Sequence, residues 1–454
     1  MLSFKLFNLK GDLFATVLCS FAQGVIRLGS SMVLTRIVLP GAYGIMTILL
    51  SIYFVVEMLA DINVSLFIVR DKNGADPRYL NTAWTMRFGR GLLNSAIVFL
   101  CAPLISSSLY HIPALTIPLR VFSLLFTIAA LESMSFPLAI RQKQSRILLY
   151  SELAASFLAT GFTITYCYYS RDYWGMVYGT LLSRALTTLF SYQFYRDLRP
   201  KLQFDRAAAR EILQLTKFTM PSSLLTLGLS QYDKVAFLRL FDLQLLGVYG
   251  LAANITGLIE SLISKISQLV LYPRCAHNFR TDRHTFSLKY YTENTKLFMG
   301  ILILPAAVGG AAHFIIRLLY PPQYALAGAV LQALMVRAVL LSLASPAEDL
   351  LIAAGESHVI LFGNIFRAVS MCAASLLGYH FFGFMGFIYG IAFSGFPPLV
   401  YYLRLQRKKG MLIGRYELYK VAFVIGIAMS AHFTSNLLLA LWPATQADSD
   451  NIHF

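Results

Sequence analysis

Long apolar runs follow one another along this chain with few polar breaks, and most reach 20 residues or more. That pattern limits the possible folds more than any motif does. A hydrocarbon core of about 30 Å is crossed by about 20 residues rising 1.5 Å each in a helix. Only 13% of the residues are charged, whereas a soluble domain carries about 25%. A membrane barrel would show short alternating segments instead of continuous runs. The sequence therefore predicts an all-α polytopic membrane protein.

Hydropathy places spans at 12–36, 42–68, 83–106, 114–138, 148–169, 173–195, 218–239, 245–271, 293–317, 324–344, 358–380, 383–403 and 418–442, thirteen in all. The stretch "SPAEDLLIAAGES" (345–357) reads as a helix end and turn. With the N-terminus in the cytoplasm, the inner segments hold 25 of the 38 Lys and Arg residues and the outer segments hold 4. This is a positive-inside pattern. It accounts for the +16 net charge without a nucleic-acid partner, and "RKK" (407–409) reads as a cytoplasmic anchor. An odd number of spans puts the C-terminus outside, where the tail "PATQADSDNIHF" has no Lys or Arg. The first apolar run reads as a retained span, since no small-x-small cleavage site follows a short one.

Two short stretches echo each other: "PGAYGI" (40–45) and "LGVYGL" (246–251), each preceded by an arginine, Arg36 and Arg239. A second echo pairs "QSRILLYSE" (144–152) with "ESHVILFGN" (356–364). Both fit two parallel six-span halves plus one extra span. The expected organisation is a six-helix lobe over 1–195, a cytoplasmic amphipathic linker over 196–217, a second six-helix lobe over 218–403, and a further span with an outer tail over 404–454. In the linker, Ile212, Leu213 and Leu215 are expected on the membrane, with Arg206, Arg210 and Lys217 at the headgroups. In each tyrosine-glycine echo, glycine is expected to permit a tight turn and tyrosine to anchor at the interface. Tyr401-Tyr402 and Tyr168-Tyr169 read as interfacial belts. Two parallel bundles facing a cleft suit alternating access by rocking.

An ionisable side chain at mid-span costs about 2.5–3.5 kcal/mol on insertion scales, so such residues pair or face a cavity. Arg27, Arg184, Lys234 and Arg337 are candidates for a cationic cavity lining, with Arg367 also near mid-span. Guanidinium forks match phosphate oxygens. Arg87, Arg90 and Lys265 lie nearer the cytoplasmic face, where they can snorkel. The embedded acids are Glu57, Asp61, Glu132, Asp233 and Glu260. Their number leaves a fully paired interior open beside the cavity reading. Glu57 and Asp61 share a helix face four residues apart, an arrangement that raises one carboxyl's proton affinity. With Asp233 they are the candidates for ion coupling. The five cysteines form no C-x-x-C pair and read as small buried hydrophobes. Neither a metal-type histidine pair nor a P-loop is present, so neither a metal nor another cofactor is expected.

The chain resembles the polysaccharide flippases of the multidrug/oligosaccharidyl-lipid/polysaccharide exporter superfamily, the Wzx-type transporters. The resemblance is carried by "LTRIVLPGAYGIMTILLSIYFVVEMLADINVSLFIVR" (34–70), "YLNTAWTMRFGRGLL" (79–93), "SFPLAIRQKQSRILLYSELAAS" (135–156), "RPKLQFDRAAAREILQLTKFTMPSSLL" (199–225) and "QYDKVAFLRLFDLQLLGVYGLA" (231–252). Asp61 and the Asp233-Lys234 pair match family positions, although Asn63 replaces a glycine near the first. The resemblance implies two lobes around a central cavity and an undecaprenyl-pyrophosphate-linked oligosaccharide as substrate, moved across a bacterial inner membrane for surface or exo-polysaccharide biosynthesis. It also implies coupling to an H⁺ or Na⁺ gradient, contact with membrane lipids, and a polysaccharide polymerase and other assembly proteins as partners. Related flippases commonly have fourteen spans, one more than here. The alternatives are an ion-coupled small-molecule antiporter of the same superfamily, a membrane polymerase or ligase, and a non-transporting scaffold. The short outer loops argue against an enzyme.

Overall fold

The computed structural model describes residues 19, 22–60, 64–71, 73–142, 145–193, 200–214, 231–234, 236–237, 240–267, 271, 274–275, 278–279, 286–356 and 358–441. Among these there is no β-strand, and nearly all regular structure is α-helix. Seven of the helices are long and apolar enough to cross a membrane, or eight if a bent pair is counted as one span. Large apolar side chains such as Leu93, Leu100, Phe382 and Phe433 lie exposed on them, as lipid-facing residues do. This is a multi-pass membrane protein. Several of the thirteen expected spans reach into residues outside those described, the seventh (218–239) most of all.

The chain forms two compact units, Met1–Leu251 and Ala252–Phe454. In the first unit the helices are α1 (22–37), α2 (Pro40–Leu59), α3 (Val64–Arg70), α4 (Pro77–Leu104), α5 (Thr116–Ala130), α6 (Ser135–Arg141), α7 (Ser145–Ser170), α8 (Trp174–Gln193) and α9 (206–214). The main packings are α4 on α5, α7 on α8, and α5 on α8. Two expected spans are each broken in the middle. The span at 42–68 separates into α2 and α3, and the span at 114–138 separates into α5 and α6. The polar strings "LADINVS" and "LESMSFP" mark these breaks in the sequence. Inside lipid a broken helix is tolerated only where its freed backbone groups find other partners.

α10 (Leu243–Ile266) begins in the first unit, and its opening turns pack against α2. A side chain added at Gly247 would collide with the Pro40 carbonyl oxygen, one at Gly44 with the Leu243 carbonyl oxygen, and one at Gly250 with the Thr47 hydroxyl. The two echoed stretches thus touch each other through their glycines, a close approach that only small residues allow. The tyrosines correct the expectation of interfacial anchoring. Tyr43 and Tyr249 are buried, and the Tyr249 hydroxyl donates to Asp233.

The linker also differs from expectation. Ala208 and Ile212, four residues apart on α9, are fully buried against Phe67, Tyr79, Leu80, Trp84 and Leu138 instead of lying on the membrane. Asp205 caps α9 by accepting from the Ala207 and Ala208 amides, and it pairs with Arg78 at 2.7 Å. That guanidinium and the cap hydrogen bonds hold the Asp205 carboxyl down at about 2. Leu202, Phe204 and Leu213 remain exposed beside Arg206 and Arg210. Leu215 and Lys217 lie outside the described residues.

In the second unit the helices after α10 are α11 (Phe286–Gly310), α12 (Ala312–Leu319), α13 (Ala327–Ala353), α14 (His358–Phe393), α15 (Phe396–Lys408) and α16 (Gly414–Leu441). α14 is two helical segments joined across a kink at Gly383, where φ is +59°. α11 and α12 are bent by 67° about their junction. α13 continues through Pro346 to Ala353, so the expected helix end lies beyond the proline. Proline removes one hydrogen bond from a helix but does not end one held by neighbours on several sides. α13 packs against α11, α14 and α15, and α16 packs on α11. Tyr402 is buried in this unit's core, not in an interfacial belt.

Candidate functional site

The two helix breaks of the first unit place carboxyls and bare carbonyls opposite α4, which supplies two arginines one turn apart. Arg87 Nη2 donates to the Ala129 carbonyl at 3.0 Å, near the end of α5, and to Glu132 Oε2 at 2.7 Å. Arg90 Nη1 donates to the Ala60 carbonyl at 3.3 Å, at the end of α2. Its Nη2 meets Glu57 Oε1 at 2.5 Å. Cations at helix C-termini also complement the negative end of the helix dipole. Arg87 and Arg90 are therefore turned inward at the helix breaks, not outward to the headgroups.

Glu132 is buried and bridges two arginines, since Arg184 Nη2 on α8 reaches the same carboxylate oxygen at 2.9 Å. The turn carrying Glu132 is fixed by α8. Ser191 Oγ accepts from the Ser133 amide, and the Ser191 carbonyl accepts from the Ser133 and Ser135 hydroxyls. Tyr53, packed on Phe126, lies within electrostatic reach of Arg184, Glu57, Arg87 and Arg90. Three arginines thus face two glutamates. The Arg184 Nε is buried without a hydrogen-bond partner among the described residues. Among the described residues the arginines outnumber the glutamates by one, and the Arg184 Nε adds an unused donor, a combination that suits an anion.

The other expected site residues fall in separate places. Arg27 is exposed on α1, near Gln23, whose amide donates to Glu152 at 3.4 Å. Arg27 makes no ion pair among the described residues. Lys234 donates to Gln231 Oε1 at 3.2 Å, and buried Asp233 accepts from Tyr249 and from the Lys234 amide. Asp61 lies outside the described residues. In the second unit Arg337 on α13 pairs with Glu260 on α10 at 3.1 Å. The structure therefore brings Arg184 and Glu57 into one cluster, and it does not bring Lys234 or Asp233 into that cluster.

Reading the sequence passed over two buried groups in the second unit. Lys420, counted as a cytoplasmic anchor, is 1% exposed. Its ammonium pairs with Glu417 at 2.7 Å and lies over the Tyr291 ring at 5.1 Å. Asp349, in the stretch read as a turn, is also buried. The spacing of Glu417 and Lys420, three apart on a helix, was the available signal for the first. No sequence signal marks the second.

The family described as "Polysaccharide biosynthesis protein" matches residues 33–328. The lipopolysaccharide biosynthesis protein WzxC of Escherichia coli (strain K12) is 25% identical over 367 residues, covering 79% of this chain and 72% of that protein. The teichuronic acid biosynthesis protein TuaB of Bacillus subtilis (strain 168) is 20% identical over 371 residues, covering 80% and 72%. Among solved structures, an inward-facing multidrug resistance transporter of the MATE family superposes with a TM-score of 0.68 at 17% identity, covering 85% of this chain and 94% of that one. The lipid II flippase MurJ in an inward closed conformation gives 0.66 at 14% identity, covering 93% and 99%. These last two likenesses establish a shared fold.

Proposed function

The chain belongs to the polysaccharide biosynthesis protein family, and from that premise we propose that it is a flippase. It translocates a lipid-pyrophosphate-linked oligosaccharide repeat unit across the bacterial inner membrane by alternating access, with the N-terminus cytoplasmic. The lipid is of the undecaprenyl class, and the product feeds a polymerase and other assembly proteins outside.

The observation that supports this reading is the surplus of cationic donors in the first unit. Among the described residues, Arg87, Arg90 and Arg184 exceed Glu57 and Glu132 by one charge, Arg184 keeps an idle donor, and Arg27 stands exposed without an ion pair. A pyrophosphate brings charge and acceptors to such donors, and the guanidinium fork can bind it bidentately. A small-molecule cation antiporter calls for the opposite sign of surplus. Transport is coupled to an H⁺ or Na⁺ gradient through buried carboxyls, in keeping with the absence of any nucleotide-binding motif in the sequence.

A deletion strain tests this. Loss of the chain removes the surface glycan and lets its lipid-linked precursor accumulate in the inner leaflet. The wild-type gene restores both, and Arg27→Ala does not. Arg27→Lys restores them in part, since an ammonium keeps charge but loses the fork. Intact glycan with no accumulated precursor after deletion would remove the flippase reading.

A further inference from the structure

Asp349 sits in the last two turns of α13 and is 9% exposed. Its carboxylate oxygen Oδ2 accepts from Ser267 Oγ at 2.9 Å, and Ser267 Oγ in turn lies 3.0 Å from Ser345 Oγ. Ser267 and Ser345 both line a small cavity together with Ser342 and Lys420. Hydroxyls therefore form a continuous path from the cavity through Ser345 and Ser267 to the carboxyl. The Tyr290 hydroxyl on α11, fully buried, is turned toward the same carboxyl. It meets no partner at full hydrogen-bonding geometry among the described residues.

Among the described residues, the charged and titratable groups near Asp349 have these partners. Glu348, beside it on α13, faces Arg367 of α14 and Tyr402 of α15. Cys275 lies against the Asp349 backbone, its thiol 3.8 Å from the carbonyl. Lys420 of α16 reaches the cavity, but its ammonium is committed to Glu417. Asp349 itself has no ion pair among the described residues. Its surroundings offer hydroxyls and a thiol, and a buried carboxylate with only such partners is costly unless it binds a cation.

We propose that Asp349, with Ser267 and Ser345 as its relay, is a proton-binding site of the second unit. A proton entering from the cavity passes along the two hydroxyls and adds to the carboxylate, and deprotonation returns it by the same path. Among the described residues the side-chain oxygens converging on it are fewer than the six or so that a hard divalent cation takes. Its use in coupling rests on the transporter reading given above, whereas proton binding itself does not.

The test uses the full-length protein reconstituted in bilayers, without any lipid-linked sugar. Infrared difference spectra across a pH titration follow the carbonyl band of protonated carboxyls. We expect such a band near neutral pH in the wild type, lost in Asp349→Asn, shifted in Asp349→Glu, and retained in Glu348→Gln. Ser267→Ala keeps the band but slows its exchange in deuterated water. An Asp349→Asn spectrum identical to the wild type overturns the proposal; where Asp349→Asn does not fold, an unshifted band in Asp349→Glu overturns it. Replacing choline with Na⁺ at fixed pH leaves the band unchanged; discharge of the band by Na⁺ overturns the assignment of a proton. A strain that keeps its glycan after deletion would remove the flippase reading and leave this spectrum untouched.

Discussion

Glu132 and Asp349 are both buried carboxyls, one in each unit, at 6% and 9% exposure. Their surroundings differ in kind. Glu132 is held by two guanidinium groups, from Arg87 and Arg184. Asp349 is held by a serine hydroxyl that continues into a second serine. Two flanking cations bind the first to the architecture of broken helices. A hydroxyl donor accepts either protonation state, so the second can change charge without breaking its support. Similar burial thus yields a structural joint in one place and an exchangeable site in the other.

The largest expected effect comes from breaking the joint. Glu132→Gln leaves two half-buried arginines without their common buried partner, and removing one member of a buried ion pair costs about 3–5 kcal/mol. Denaturant unfolding of the purified protein should show a loss of this size. A change below about 1 kcal/mol would mean that the arginines find other partners, and the contrast with Asp349 would weaken.

Packing in the first unit ranks next. Gly247→Leu forces a side chain against the Pro40 carbonyl of the facing helix. Overpacking of this kind costs about 1–3 kcal/mol, measurable as a lower unfolding midpoint. Gly41→Ala, where nothing lies within 4 Å of an added carbon, should leave the midpoint unchanged.

Asp349→Asn should cost less than either, about 1 kcal/mol or under, because the amide oxygen still accepts from Ser267 and no cation is stranded. Its stability should also depend less on pH than that of the wild type. A loss as large as that of Glu132→Gln would show that Asp349 has an ionic role after all.

The smallest effect lies at the linker. The carboxyl of Asp205 is held down at about 2, chiefly by the Arg78 hydrogen bond and then by the α9 cap, against an ordinary value near 4. A lowered carboxyl contributes stability above its unfolded value and loses it as pH falls through the folded one. Protection of the 206–214 amides from hydrogen exchange, taken relative to the intrinsic rate at each pH, should therefore fall between about pH 4 and about pH 2. Asp205→Ala should show the low protection at all pH values. Unchanged exchange in that variant would mean that Ala208 and Ile212 hold α9 without the cap.

Much of the fold was legible residue by residue. Span positions such as 42–68 and 114–138 follow from hydropathy, and the strings "LADINVS" and "LESMSFP" already contained the breaks within them. The pairing of Glu57 with Arg90 was not legible, because their helices meet only in three dimensions, 33 residues apart along the chain. Counting five embedded acids against five cations left pairing open, and the site in fact draws in Arg87 and Arg90, whose depth had suggested snorkelling. Tyr43, Tyr249 and Tyr402 misled in the other direction. Tyrosine near a span end fits a membrane interface and a buried hydrogen bond equally well, and only the neighbouring helix decides between them.

The sequence by itself determined that this chain lives in a membrane as helices, and how its basic loops are distributed, because transfer into lipid depends on each segment's own side chains. Only the tertiary structure decided which charges neutralise one another. Arg87 and Arg184 reach Glu132 across 45 and 52 residues of chain, and Asp349 meets Ser267 across 82. Electrostatic energy inside a low-dielectric interior depends on distance in space and on the groups left unpaired there, and neither quantity is written in the local order of residues.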